Sequence, residues 1–150
     1  MALIREATEA DVHQLVQIGS HFFSEMGYSR SVPFDEVSCA DGIHRLMSAG
    51  AMIFVAEVDG EVAGAIIGLM SSLWCQPHVR IAAEMAWWVM PKYRGIIGIR
   101  LMRKFEEWGK QQGAKFVVMS DIALDGKSDV ADMLNRMSYQ TVERTHMRMI

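Results

Sequence analysis

Trp87-Trp88-Val89-Met90-Pro91-Lys92-Tyr93-Arg94-Gly95-Ile96-Ile97-Gly98-Ile99-Arg100-Leu101-Met102 is the stretch on which the fold turns. An apolar run reads as strand, Pro91 interrupts it, and a basic, glycine-bearing turn follows. Leu101, Met102, Phe105 and Trp108 then fall on one helical face. Such a turn gathers unpaired backbone N–H groups at the positive end of a helix dipole. Glycine there lets backbone approach an anion with no Cβ in the way. The order therefore predicts a pocket for a phosphate-bearing ligand. It is neither Gly-x-x-x-x-Gly-Lys-Ser/Thr nor Gly-x-Gly-x-x-Gly, which excludes both of those nucleotide loops. Two glycines three apart also suit a plain tight turn whose glycines serve packing, and the local pattern leaves that choice open.

Outward from this stretch the chain alternates strands and helices. Periodicity predicts a strand over 3–7, then a helix capped by Thr8 with Asp11 in a capping-box role. Val12, Leu15, Val16, Ile18 and Phe22 follow helical spacing, and Gly27 ends that helix. A second helix is expected over 34–47. Strands over 51–58 and 61–70 flank the turn signal Asp59-Gly60. A loop is expected over 73–78, and a strand over 80–89 with apolar residues on both faces, hence covered on both sides. A helix over 95–112, a strand over 115–120, a helix over 128–137 and a final strand over 139–149 complete the chain. The order predicts an α/β fold with a mixed sheet.

The 150 residues suit one domain, 1–150, and 51% hydrophobic with 22% charged residues suits a packed core. A net charge of −3 gives no pull toward nucleic acid or anionic membrane, and neither partner is expected. No apolar run approaches membrane-spanning length and charges interrupt the N-terminus early, so a cytoplasmic location is expected. Cys39 and Cys75 have no metal-ligand spacing and fit a reducing compartment. His13, His21, His44, His78 and His146 are scattered, and no metal is expected. The 13 methionines read as core filling.

The element order, with Val89-Met90-Pro91-Lys92-Tyr93-Arg94-Gly95, resembles the acetyl-CoA signature of the GNAT acyltransferase superfamily. The resemblance spans the chain in element order and is specific from Glu84 to Trp108. The family pattern is Gln/Arg-x-x-Gly-x-Gly/Ala. Here Lys92 takes the first position, Gly95 the first glycine, and Ile97 stands where a small residue is usual, with Gly98 one place later. A looser similarity is to GNAT proteins of phages and prophages. The implied fold is a mixed, mostly antiparallel central sheet flanked by helices on both faces.

The resemblance implies acetyl-CoA as co-substrate. The backbone of Trp87, Trp88 and Val89 would pair with the pantetheine arm, and the turn from Arg94 through Gly95, Ile96, Ile97 and Gly98 to Ile99 would wrap the pyrophosphate. Lys92 and Arg94 add positive charge nearby, and Arg100 either reaches the phosphates or points to solvent. An amine acceptor arrives protonated and must lose a proton before attack. Glu84, a charged residue flanked by Ala82, Ala83, Met85 and Ala86, is the candidate base. A structural salt bridge, with Arg80 or a helix arginine, and a substrate-binding role are its other readings. The Val89 amide is the implied donor to the oxyanion. Many relatives place a tyrosine in the last helix to protonate the leaving thiolate. Leu134 holds that place, and Tyr139 reads as packing. Glu25 and Tyr28, after the first helix, are candidate acceptor-binding residues.

The expected function is therefore N-acetyl transfer to a primary amine of a small molecule, peptide N-terminus or protein lysine, by direct attack in a ternary complex. The alternative is a catalytically weak or inactive acyl-CoA-binding protein acting through a protein partner. A homodimer joined through the apolar last strand is a further option.

Overall fold

Five strands lie side by side in chain order in the computed structural model, which describes residues 1–122, 128 and 130–150. They are β1 (Leu3–Glu6), β2 (Met52–Val58), β3 (Glu61–Leu73), β4 (Gln76–Val89) and β5 (Phe116–Val118). Pairing is antiparallel from β1 to β4 and parallel between β4 and β5. The mixed, mostly antiparallel sheet expected from the sequence is the one that forms.

Helices α1 (Val12–Glu25) and α2 (Glu36–Ser48) pack on one face of the sheet. Helix α3 (Ile96–Gln111) packs on the other. Leu15, Val16, Ile18 and Ile43 meet Ile53, Val55, Ala65 and Trp88 on the first face. Leu101 and Phe105 meet Phe54, Ile66 and Ala82 on the second. Alternation along β2 explains the split: Ile53 and Val55 point one way, Met52 and Phe54 the other. The short helix α4 (Ala131–Arg136) begins where the Ser128 hydroxyl accepts the amides of Val130 and Ala131. Asp129, within the helix expected over 128–137, lies outside the described residues.

The capping signal at Thr8 and Asp11 holds, with a 3-10 turn, Glu9–Asp11, ahead of α1. The Thr8 amide donates to the Asp11 carboxylate at 2.7 Å. Arg5 forks onto the same carboxylate with two bonds of 2.8 Å and donates to Glu57 on β2. The Arg5 guanidinium pulls the Asp11 carboxyl down to about 2. That knot ties β1, the helix start and β2 together.

Two expected elements differ. The loop over 73–78 is only a turn at Trp74 and Cys75, because β3 runs on to Leu73 and β4 starts at Gln76. The two arms make a hairpin far longer than the polar residues around Pro77 suggested. The final strand over 139–149 does not form, and residues 140–150 stand exposed outside the sheet. Alternating apolar residues make a strand only when an edge pairs with them.

Candidate functional site

The site grows from an irregularity in β4. Ile67 of β3 faces Ala86, but the next residue, Gly68, faces Glu84, so Met85 is an extra residue bulged out of the ladder. Below the bulge β4 pairs with β5 only over Ile81–Ala83. Above it the β5 side of β4 has no strand partner among the described residues, and the sheet splits open. The Met90 amide donates to Ala63 of β3 at 2.9 Å. By strand alternation the Val89 and Trp87 amides then face away from β3, toward the split.

The strand ends in a 3-10 turn, Pro91–Tyr93, and α3 begins after Gly95. Gly95 has φ 102° and ψ −112°, a conformation open to glycine alone. Among the described residues, the amides of Gly95, Ile96, Ile97 and Gly98 donate to no group of the chain; the first helical bond runs from Ile99 to the Gly95 carbonyl. Four N–H groups at the head of a 16-residue helix form a ready anion cradle. Ile97 leaves it clear because its side chain is buried under α3, while Ile96 is 74% exposed. Gly98 lies against Trp87: a Cβ there would come within 3.2 Å of the indole. Its smallness serves the packing of Trp87, and only its amide is left for a ligand.

The arginines have other partners. Arg94 donates through Nε to the Val89 carbonyl at 3.0 Å and forms an ion pair with Glu25 at the end of α1. Its guanidinium also lies 5.7 Å from the Trp88 ring. Arg94 thus clamps the end of β4 to α1. Arg100 donates to the Ala2 carbonyl at 2.8 Å and pins the chain start to α3. Lys92 is exposed, its Nζ 4.6 Å from the centroid of the neighbouring Tyr93 ring.

Glu84 sits at the point where β4 and β5 part. Its partner Gly68 faces Phe105, so Glu84 lies on the α3 face. The Ser120 amide, just beyond β5, donates to its carboxylate at 3.0 Å. Arg80 reaches the Gln112 carbonyl instead, so the salt bridge considered for Glu84 does not form with it. Burial pushes the Glu84 carboxyl up to about 7, against the smaller lowering by the Ser120 amide. A carboxylate with no cationic partner among the described residues, raised toward neutrality beside an open backbone edge, can take up a proton.

On the opposite face Trp88 packs beneath α1. His21 stacks on its ring, centroids 5.2 Å apart and planes 1° from parallel. His21, Ser24, Glu25, Trp88, Met90, Pro91 and Lys92 line a cleft of about 410 Å³. Glu25 therefore reaches the mouth, committed to Arg94. Tyr28 does not line this cleft; it packs on Phe23 in the turn after α1. His21 was missed in the sequence, although its spacing of four from Glu25 puts both on one helical face. Tyr139 donates to Glu106 of α3 at 2.7 Å, and burial, aided by that carboxylate, raises its phenol further above its usual range. Among the described residues no three His, Cys, Asp or Glu side chains gather as a metal site requires, and no helix is long and apolar enough to cross a membrane.

Comparison with known proteins places this geometry. The Acetyltransferase (GNAT) family profile matches residues 15–131. No curated protein matches the chain by sequence. Among solved structures, an acetyltransferase of Trypanosoma brucei superposes with a TM-score of 0.76 at 16% identity, covering 100% of both chains. A predicted acetyltransferase with acetyl-CoA from Clostridium acetobutylicum gives 0.77 at 12% identity over 99% of this chain and 96% of that one. Glucosamine-6-phosphate N-acetyltransferase from Arabidopsis thaliana gives 0.76 at 12% identity, covering 99% and 98%. At these identities the structures establish a shared fold.

Proposed function

Because the chain belongs to the GNAT acetyltransferase family, we propose that it transfers an acetyl group from acetyl-CoA to a primary amine by direct attack in a ternary complex. One observation carries the reading: four amides at the head of α3, unpaired among the described residues, stand at the end of the same strand whose β5 side is open among those residues. A diphosphate suits the first, and a chain of amides suits the second.

In this reading the amides of Gly95, Ile96, Ile97 and Gly98 hold the pyrophosphate, with Ile99 closing the turn and Lys92 adding charge. The backbone of Trp87, Trp88 and Val89 aligns the pantetheine arm. Arg94 and Arg100 act as positioning residues: one fixes the Val89 carbonyl and the other anchors α3. Bound acetyl-CoA supplies an activated thioester. The Val89 amide polarises its carbonyl. Glu84 accepts a proton from the acceptor ammonium, the neutral amine then attacks to form the amide bond, and the C–S bond breaks with coenzyme A leaving as the thiolate. Glu25 and His21 border the acceptor entrance.

A thermal shift tests the reading. Saturating acetyl-CoA raises the melting temperature by several degrees, since it binds the folded chain alone. Thiol release with a panel of polyamines, aminoglycosides and peptides then reports turnover. No shift at saturation overturns the proposal. A second reading, an acyl-CoA-binding protein with weak or no turnover, draws on Leu134 at the tyrosine position and on Tyr139 being held by Glu106. A thermal shift without thiol release on any amine selects it.

A further inference from the structure

Between α1, α2 and the sheet lies a second chamber of about 280 Å³, behind Trp88 from the cleft. Leu15 and Phe22 of α1, Ile43 and Leu46 of α2, and Ile67 and Ala86 of the sheet wall it with apolar groups. An enclosed apolar cavity of about 150 Å³ already admits benzene, and this half-open pocket has nearly twice that volume.

The sequence keeps the chamber open. Gly42 lines it from the middle of α2, where a Cβ would meet nothing within 4 Å. A glycine inside a helix weakens it, and neither crowding nor backbone conformation calls for this one. Ala65 and Ala86 similarly present small side chains from the sheet. Trp88, only 6% exposed, walls both the chamber and the cleft. Trp88 is also the residue next to Val89, so the chamber adjoins the strand end assigned to the transfer.

We propose that this chamber is a specificity pocket that takes an uncharged alkyl or aryl group of up to about ten carbons. The inference rests on the acyl-transfer reading for its role in the reaction, but the binding does not. A hydrocarbon group of that size comes either with the amine acceptor or as the acyl chain of the thioester.

The test uses the full chain and two Gly42 variants. Octan-1-ol and 1-naphthylmethanol, which carry no amine, are titrated first, with melting temperature and tryptophan fluorescence as readouts. Both bind the parent. Gly42→Ala weakens them and Gly42→Leu weakens them at least tenfold, while neither variant melts below the parent and both keep the acetyl-CoA shift. The two sources are then separated by turnover. If the acceptor fills the chamber, octylamine has a kcat/KM at least tenfold above that of propylamine with acetyl-CoA, and Gly42→Leu erases the preference. If the acyl chain fills it, octanoyl-CoA outruns acetyl-CoA and the same variant reverses the order. No binding of either alcohol to the parent overturns the proposal, as does undiminished binding to Gly42→Leu. Absence of both chain-length preferences in a protein that releases thiol overturns the specificity role. Alcohol binding without an acetyl-CoA shift leaves the chamber standing and defeats the acetyl-transfer reading instead.

Discussion

Glu84 keeps a proton in the folded chain that the unfolded chain would already have released. Its carboxyl is raised from 4.5 to about 7 by burial, so between those values the native state holds more protons than the unfolded one. Its contribution to stability is complete below pH 4.5 and lost as pH rises through about 7. Glu84→Gln removes that cost: at pH 8 the variant gains about 2 kcal/mol, or about 5 °C in melting temperature, by calorimetry. The same variant loses about 10²–10³-fold in kcat. In the parent, kcat/KM climbs as pH passes 7 and then levels. A variant that is stabilised and fully active shows that Glu84 is buried for packing alone. Glu84 was legible because a charge in a run of alanines demands a reason. Arg94 and Arg100 were not, because their partners Glu25 and the Ala2 carbonyl lie 69 and 98 residues away. A basic residue beside a glycine turn suggests phosphate until the folded neighbour claims it.

At the scale of elements, β4 and α3 form one device, and Gly95 is its joint. Its φ of 102° excludes other residues by backbone strain, since a Cβ there would meet nothing within 4 Å. Gly95→Ala is expected to cost about 1–3 kcal/mol in urea unfolding. It also swings the free amides out of line, and acetyl-CoA binding weakens at least tenfold by calorimetric titration. Equal affinity in the variant argues that the cradle does not hold the phosphates. The joint was readable from Pro91, Gly95 and the helical spacing that follows. The extra residue at Met85 was not, because a bulge is a relation between two strands. Leu73 to His78 read as loop for a related reason: Pro77 and its polar neighbours are tolerated in hairpin arms that extend beyond the core.

For the whole molecule, the succession of strands and helices as far as β5 follows from periodicity, the mostly antiparallel sheet follows from the family resemblance, and the family is legible from that succession together with one motif. What periodicity overstates is the end of the chain. Val142, Met147 and Met149 are 84%, 74% and 76% exposed, and they bury nothing. Deleting residues 141–150 is therefore expected to move the melting temperature by less than about 2 °C. A larger loss, dependent on protein concentration, shows that the tail covers another copy, where Phe116 and Val118 leave the β5 edge partly bare. The deepest economy of the design lies at Met85. Glu84 and Trp87 serve the α3 side while Ala86 and Trp88 serve the other, and that division survives if Met85 is simply omitted, because Ala86 already takes the next place in the ladder. A chain shortened by this one codon would keep every side chain on its own side, so the surplus amino acid acts on the backbone alone, breaking the ladder beside the point where β4 and β5 part.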